Sequence, residues 1–394
     1  MEQVCPPQDC CGCRACRDVC PKAAITMVKA ADGFFYPEID PDLCVDCGLC
    51  RKVCPEWEIF QGVAHDTKLY SAYSRDRQVR HDGSSGGTFQ EVARYWLEAH
   101  PGNAAVYGAA FAEGFKLRHT YITRIDDIAP LLKSKYIESD TDGAFRKIRG
   151  QLKDGMQVMF CGTPCQCAAL RKYLFNTDTS GLLVVDILCH GVPSQDLFDK
   201  SMAAFEKKHW CRVTKFEFRA RPAKRVNTDH YFSYCYEKNG TKGCKTGLPG
   251  WKFPYYYNYC CYNSFRRSCY DCRYATPHRC GDITLGDFWR LDTVDDVADF
   301  DKGYSMVFAN TPRGKEILHA LKAGMMLKEY PLDTAVALNP TFTRGTVKTA
   351  INQQSVADLS TVPFDRYQKK YMIVRKDVIS KALRLAGRII KRLT

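Results

Sequence analysis

Eight cysteines in the first 54 residues fall into two copies of one pattern. Cys10, Cys13, Cys16 and Cys20 read C-x2-C-x2-C-x3-C with Pro21 following, and Cys44, Cys47, Cys50 and Cys54 repeat the run with Pro55. Thiolates at this spacing hold [4Fe–4S] clusters. Three closely spaced cysteines let one tight loop wrap three corners of a cubane, and the fourth, opening the next turn, points at the other cluster. The first cluster is therefore assigned to Cys10, Cys13, Cys16 and Cys54, and the second to Cys44, Cys47, Cys50 and Cys20. A zinc ribbon presents two C-x2-C pairs rather than two four-cysteine runs each closed by proline, so structural zinc is the lesser reading. The chemistry is electron transfer.

Further along, five segments carry polar or ligating groups. Asp82-Gly-Ser-Ser-Gly-Gly-Thr88 stands before a predicted helix, where unobstructed backbone N–H groups form an anion site suited to a diphosphate; a plain capping turn is the alternative. Lys133-Ser-Lys-Tyr136, with Ser139 following, brings together cations, hydroxyls and an aromatic face, suited to a flavin's phosphate and ring or to a polar surface turn. Phe160-Cys-Gly-Thr-Pro-Cys165 joins a strand to a helix, with Cys161 read as a core thiol and Cys165 as a loop thiol able to ligate metal. Asp186-Ile-Leu-Cys189-His190-Gly191 ends a strand with a cysteine beside a histidine. Cys269-x2-Cys272 is a metal-type pair, for which zinc and reduced buried thiols are the alternatives to a cluster.

The elements that must position these groups divide into three stretches. The two cysteine runs, offset by 34 residues, form an internal repeat over residues 1–60, the pattern of a two-cluster ferredoxin, with short strands at Ala24–Val28 and Gly33–Ile39 around a turn. Such a small module buries too little apolar surface to be stable without its metal. Residues 61–68 read as a linker. Over 69–330, with an N-part to about 150, strands and helices alternate. The expected strands are Ala105–Ala112, Lys116–Ile122, Gln157–Cys161, Leu182–Leu188, Val213–Arg219, Tyr231–Tyr236 and Ile283–Leu285. Helices are expected at Thr88–Glu98, Cys165–Leu174 and Gly314–Ala323. The fold class is thus α+β to α/β, a small ferredoxin-like module followed by a mixed α/β domain. Residues 331–394 are a weakly patterned extension ending in a basic amphipathic helix over 375–394, which docks on protein or adsorbs to an anionic membrane surface.

Composition narrows the classes. No run of about 18 apolar residues predicts a membrane-spanning helix, and Met1–Cys11 has no basic-then-apolar export signal, so a cytoplasmic location is expected, with peripheral contact at the inner membrane face through 375–394 as an addition. The 22 cysteines then belong to a reducing compartment that keeps thiolates available. The formal charge of +13 includes seven Lys/Arg against Asp377 in the last twenty residues, and no basic stripe interleaved with aromatics suggests nucleic acid.

The ordered set of SSGG at 84–87, SKYIES at 134–139, GTPCQ at 162–166, LCHG at 188–191, and CYDC with GDITLGDFW at 269–289 resembles the beta-subunit family of coenzyme F420-reducing hydrogenases and dehydrogenases. The likeness covers roughly 69–310, and the N-terminal module matches the ferredoxin-fused members. The resemblance implies an FAD-binding α/β domain with its own [4Fe–4S] cluster, exchanging electrons between ferredoxin-type clusters and a hydride carrier. It makes Cys165, Cys189, Cys269 and Cys272 the candidates for a third cluster, and Ser85, Gly86, Gly87, Lys135, Tyr136 and Ser139 the candidate FAD contacts. His190, Lys135 and Tyr136 are candidate proton donors. Cys167 stands where an aliphatic residue is common, and Cys280 is left outside the ligand set. The expected function is an iron–sulfur flavoprotein oxidoreductase acting on a small hydride acceptor or donor, F420 or another, with a redox partner protein or ferredoxin; the alternative is an electron-transfer subunit without substrate chemistry of its own.

Overall fold

The computed structural model describes residues 2–222, 230–297 and 299–372. The helix expected over 375–394, and the membrane contact assigned to it, lie outside the described residues.

Each cysteine run wraps a short helix, α1 (Ala15–Val19) in the first and α2 (Leu49–Lys52) in the second. The repeat is visible in the backbone. Left-handed residues recur at equivalent places, Gly12 (φ 72°) with Asp46 (φ 50°) and Arg14 (φ 58°) with Gly48 (φ 73°), as a loop folding tightly around a buried object requires. Between the runs, β1 (Ile25–Lys29) and β2 (Phe35–Ile39) pair antiparallel, from Ile25 opposite Ile39 to Lys29 opposite Phe35. The segment after Pro55 runs against the body, where Val63 N–H donates to the Arg279 carbonyl (2.8 Å) and His65 N–H to that of Asn310 (2.7 Å).

The next elements in order are β3 (Lys68–Ser74), α3 (Arg77–Asp82), α4 (Thr88–Ala99), β4 (Ala104–Phe111), β5 (Leu117–Ile122), α5 (Ala144–Lys153), β6 (Gln157–Gly162), α6 (Pro164–Tyr173) and β7 (Leu182–Ile187). They are followed by α7 (Gln195–His209), β8 (Arg212–Phe218), β9 (Tyr231–Lys238), β10 (Thr241–Pro249), α8 (Pro254–Cys260), α9 (Arg267–Tyr270) and β11 (Ile283–Asp287). Last come β12 (Ser305–Ala309), α10 (Pro312–Ala320), β13 (Met325–Tyr330), α11 (Leu332–Leu338), α12 (Ala350–Thr361) and α13 (Phe364–Tyr371). Eight strands form one mixed sheet in the order β13-β3-β12-β11-β7-β6-β4-β5. Its centre, β11-β7-β6-β4, is parallel, and antiparallel strands flank it on both sides.

Period-2 alternation sorts the central side chains between two layers. Val158 and Phe160 of β6, with Leu182 and Val184 of β7, face α5 and α6, while Met159, Leu183 and Val185 face α4 and α10. Both faces are covered, which is why these strands read as continuous apolar runs. The N-terminal module joins the α5–α6 side through Ala15 and Val53. A second, three-stranded sheet, β10-β9-β8, packs its aromatic face on α7 and α8 through Phe198, Phe216, Phe232 and Phe253.

Several elements depart from the sequence expectation. Strands β3, β10, β12 and β13 and helices α5 and α7 add to those expected, and residues 331–371 carry three helices instead of weak pattern. Cys235 and Cys244 form a disulfide, against the expectation of reduced thiols throughout. They stand directly opposite each other on β9 and β10, the placement that brings cross-strand Cβ atoms close enough to bridge.

Candidate functional site

The parallel strands aim their carboxyl ends at one place, the usual site-forming end of such a sheet. After β6 comes Thr163-Pro-Cys165, after β7 Leu188-Cys189-His190, and after β11 Phe288-Trp289. These loops, with the 83–90, 131–139 and 269–275 segments, line a single cavity of about 350 Å³. That is within the usual range for a small-molecule or cofactor pocket.

One end of the cavity gathers four thiols. Cys165, Cys189, Cys269 and Cys272 all line it and lie within electrostatic reach of one another. Burial and repulsion from neighbouring thiols push Cys189, Cys269 and Cys272 up, Cys189 and Cys272 to about 12, while contact with Cys11 and then burial raise Cys165. Thiolates gathered in so dry a place call for a compensating cation. The loops are held by a buried ion pair at the end of β7. Asp186 Oδ1 accepts from Arg279 Nη2 (3.1 Å), while Asp186 Oδ2 accepts from the backbone N–H groups of Cys280 (3.1 Å) and Gly281 (3.0 Å). Gly345, beyond α11, seals the thiols from the other side; a Cβ there would lie 3.2 Å from the Cys272 nitrogen. Cys167 is in the α6 core, and Cys280 is buried outside the cavity lining. Cys161, read from sequence as a core thiol, lines the cavity instead.

The opposite end is built by the start of α4. Ser85, Gly87 and Thr88 line the cavity there. Gly87 (φ +85°) turns the chain into α4, and a Cβ on Gly86 would sit 2.1 Å from the Ala72 carbonyl oxygen, so this glycine is demanded by close approach to β3. Gly86 N–H donates to Ser305 Oγ (2.9 Å) and Ser85 Oγ to the Tyr304 carbonyl (2.5 Å). Two polar atoms on this wall, Thr88 Oγ1 and Gln90 Oε1, are buried without a hydrogen-bond partner among the described residues. An orphaned hydroxyl at a helix start, where the dipole favours anions, fits a diphosphate; Gln90 Oε1 only accepts and needs a donor instead.

The SKYIES segment closes the side wall. Ser84 Oγ accepts from Ser134 N–H (2.7 Å), tying it to the glycine loop. Lys135 is half-buried, with Nζ donating to the carbonyls of Leu132 (2.7 Å) and Pro130 (2.8 Å); burial pushes its amine down to about 7. Tyr136 stacks on Tyr259 with ring centroids 4.1 Å apart. Ser139 is engaged in a chain of hydrogen bonds: Gln166 Nε2 donates to its Oγ (3.1 Å), and Oγ meets His119 Nδ1 (2.9 Å). His119 Nε2 contacts the Cys161 carbonyl (3.0 Å); since a carbonyl only accepts, Nε2 carries the proton and Ser139 donates to Nδ1. His190 lies between Tyr262 and Trp289, with centroids 5.7 and 5.3 Å away, and burial pushes it down to about 4, so it is neutral at pH 7.

In the N-terminal module, Cys10, Cys13, Cys16 and Cys54 interact with one another, and Cys16 also senses Cys50. Cys20, Cys44, Cys47 and Cys50 line a separate small cavity with Ile25 and Ile39. Among the described residues no three His, Cys, Asp or Glu side chains are gathered as ligands of one metal ion. Sequence reasoning passed over Cys5, packed beside Cys10 and Cys54, and Cys11, which touches both Cys13 and Cys165. The available signal was that both are cysteines left unused by an eight-cysteine pattern. Thr88, Gln90 and His119 carried no comparable signal.

Residues 155–334 match the family model for the coenzyme F420 hydrogenase/dehydrogenase beta subunit, C terminus, and residues 9–56 match the 4Fe-4S dicluster domain. Over residues 155–334 the chain is similar to the C-terminal part of the coenzyme F420 hydrogenase/dehydrogenase beta subunit. The matched stretch contains all four cavity thiols, whereas the α4 start and Lys135 precede it and Gly345 follows it. Among solved structures, the F420-reducing [NiFe] hydrogenase complex from Methanosarcina barkeri, in a xenon derivative, contains a similar chain. It is 18% identical, with 78% of this chain and 91% of that chain covered and a TM-score of 0.43. No curated protein matches. Among the described residues no helix is long and apolar enough to cross a membrane.

Proposed function

We propose that the protein is an iron–sulfur flavoprotein oxidoreductase. It passes electrons between ferredoxin-type [4Fe–4S] clusters and FAD, and exchanges a hydride with a small acceptor such as the deazaflavin coenzyme F420. The observation that supports this reading most is the single cavity of about 350 Å³, with four converging thiols at one end and an α-helix start bearing an orphaned hydroxyl at the other. FAD, when bound, exchanges electrons singly with clusters and in pairs with a hydride substrate.

The chain's own residues divide the work. Cys10, Cys13, Cys16 and Cys54 hold one cluster of the module, and Cys20, Cys44, Cys47 and Cys50 the other. Cys165, Cys189, Cys269 and Cys272 hold a third at the cavity. Ser85, Gly87 and Thr88 bind the diphosphate through the start of α4. Gly86 acts indirectly, by letting the loop lie against β3, and Ser139 by holding His119. Tyr136 and the His190–Trp289 stack supply flat apolar faces that exclude water. Lys135 holds a proton at Nζ whose pKa of about 7 suits transfer at neutral pH, so it is favoured over the neutral His190 as the proton donor. A separate redox protein exchanges electrons with the N-terminal module.

Anaerobic expression followed by assay of iron, acid-labile sulfide and flavin tests this reading. About twelve irons and about one FAD per chain are expected; about eight irons without flavin would overturn the flavoprotein reading. Dithionite reduction, then stopped-flow oxidation by deazaflavin, NAD(P)+ and ferredoxin, separates enzyme from relay. Reaction with ferredoxin alone would make the chain an electron-transfer subunit.

A further inference from the structure

Cys5 is a fifth buried thiol at a site whose motif needs four. It is 5% exposed and shares a small core with Cys10, Cys16 and Cys54. Its thiol packs in that core beside Cys10 and Cys54, two of the four cysteines assigned to the first cluster. The sequence fixes that position from both sides. After Cys5, Pro6 and Pro7 turn the chain back on itself, with Asp9 N–H donating to the Pro6 carbonyl (3.0 Å) and Cys10 N–H to that of Pro7 (3.3 Å). Before it, the Gln3 carbonyl accepts from Arg51 Nη2 (3.0 Å) and Nε (3.3 Å). Arg51 is itself held over the Trp57 ring at 4.3 Å, and it belongs to the helix of the second cysteine run. The N-terminal segment is thus held between both runs with Cys5 buried beside the first.

The direction of the contact follows from bonding. A cubane takes four cysteines, and a thiolate bound to iron has no proton to give. An uncoordinated Cys5 does have one, so the S–H donates and the ligand sulfur accepts. A hydrogen bond to a ligand sulfur withdraws charge from the cluster and eases addition of an electron. We propose that Cys5 is a positioning residue of the first cluster: it stays uncoordinated and donates its S–H to the ligand sulfur of Cys10 or Cys54, raising the reduction potential above what the four ligands alone would give. The proposal rests on the dicluster domain and not on the flavin.

The test uses the full chain, loaded anaerobically, as wild type, Cys5→Ala, Cys5→Val and Cys5→Ser. Iron and sulfide are counted first, and the N-terminal clusters are then followed by EPR through a redox titration. All variants should keep the wild-type iron content. In Cys5→Ala and Cys5→Val one of the two N-terminal midpoints should move down, so that at a fixed potential the reduced-to-oxidised ratio of that cluster falls about three- to tenfold, the upper value being 59 mV. Cys5→Ser, which keeps a donor, should stay near wild type, and the other midpoint should not move. Unchanged potentials in Cys5→Ala and Cys5→Val would overturn the proposal. Equal shifts in all three variants would also overturn it, because packing and not the donor would then be responsible. Loss of about four irons in Cys5→Ala and Cys5→Ser alike would make Cys5 a ligand and overturn it too. A wild-type protein without N-terminal iron would instead fail the cluster reading itself.

Discussion

Lys135 shows how one half-buried side chain couples the cavity to pH. Its amine ordinarily titrates at 10.5, and burial holds it at about 7 in the folded chain. Below about pH 7 both folded and unfolded chains carry the proton, so the cost of burying the charge is complete. Above that, the unfolded chain binds more protons than the folded one, and stability rises with pH until the ordinary value is passed. Lys135→Met removes the titration. Its stability relative to wild type should be greatest at about pH 6 and decline by up to about 1.4 kcal/mol per pH unit towards about pH 9. Denaturant unfolding at both pH values would show this, and a difference that stays constant would refute the assignment. Thr88 allows a different separation. Its hydroxyl is 2% exposed at the residue level and unpartnered, so Thr88→Val should leave the flavin-free chain as stable or slightly more so. FAD retention should weaken about tenfold, as loss of a hydrogen bond to a charged group implies. Equal FAD affinity in calorimetric titrations would remove the diphosphate from this wall.

At the scale of elements, the cavity thiols come from three different connections: Cys165 opens α6 after β6, Cys189 follows β7, and the Cys269/Cys272 pair spans the end of α9. Their convergence was legible only through the family pattern, because spacing connects residues along one loop and says nothing of loops brought together by parallel strands. The strand–helix–strand unit around β6 and β7 was plain in the sequence, since buried parallel strands are unbroken apolar runs flanked by turns. Strand β12, Ser305–Ala309, was not, although every residue in it is buried: five residues give too short a signal to distinguish a strand from a stretch of core. Helix α7 places Leu197, Phe198, Ser201, Met202 and Phe205 on one face and Asp196, Asp199 and Lys200 on the other, an amphipathic pattern the sequence reading passed over. Gly86 and Ser139 were legible as special but not in role, because close approach and internal hydrogen bonding leave the same residue types as ligand binding. Convergence of the loops predicts independence from the module. Cys269→Ala should remove about four irons while the EPR signals of the N-terminal clusters persist; retention of all about twelve would reject the tetrad.

Over the whole molecule, Arg266 makes one body of two stretches that the sequence presents as module and domain. It is 1% exposed, pairs with Glu138 (2.8 Å) and donates to the carbonyls of Cys10 (3.0 Å) and Phe35 (2.8 Å). Its guanidinium also lies against the rings of Phe34 (4.7 Å) and Tyr36 (4.8 Å). Gly12 completes the joint: a Cβ there would fall 2.0 Å from Glu138 Oε1 and 2.7 Å from Arg266 Nη2. Nearby, Thr141 Oγ1 donates to the Cys13 carbonyl (2.7 Å) and Tyr274 OH to that of Pro55 (2.6 Å), so the body meets both cysteine runs beside their ligands. The linker expected at 61–68 instead adds main-chain hydrogen bonds to this joint, because its N–H groups find carbonyls of the 279 and 310 segments. Removing one partner of a buried ion pair leaves the other charged and unpaired, at a cost of about 3–5 kcal/mol. Arg266→Met should therefore lower the melting temperature of the cluster-loaded chain and split its single transition, with the module opening first. Glu138→Gln added to Arg266→Met should restore part of the loss, since no buried charge then remains unpaired. Calorimetry of the two variants decides it: one unsplit transition at the wild-type temperature in Arg266→Met would mean that the module is held elsewhere.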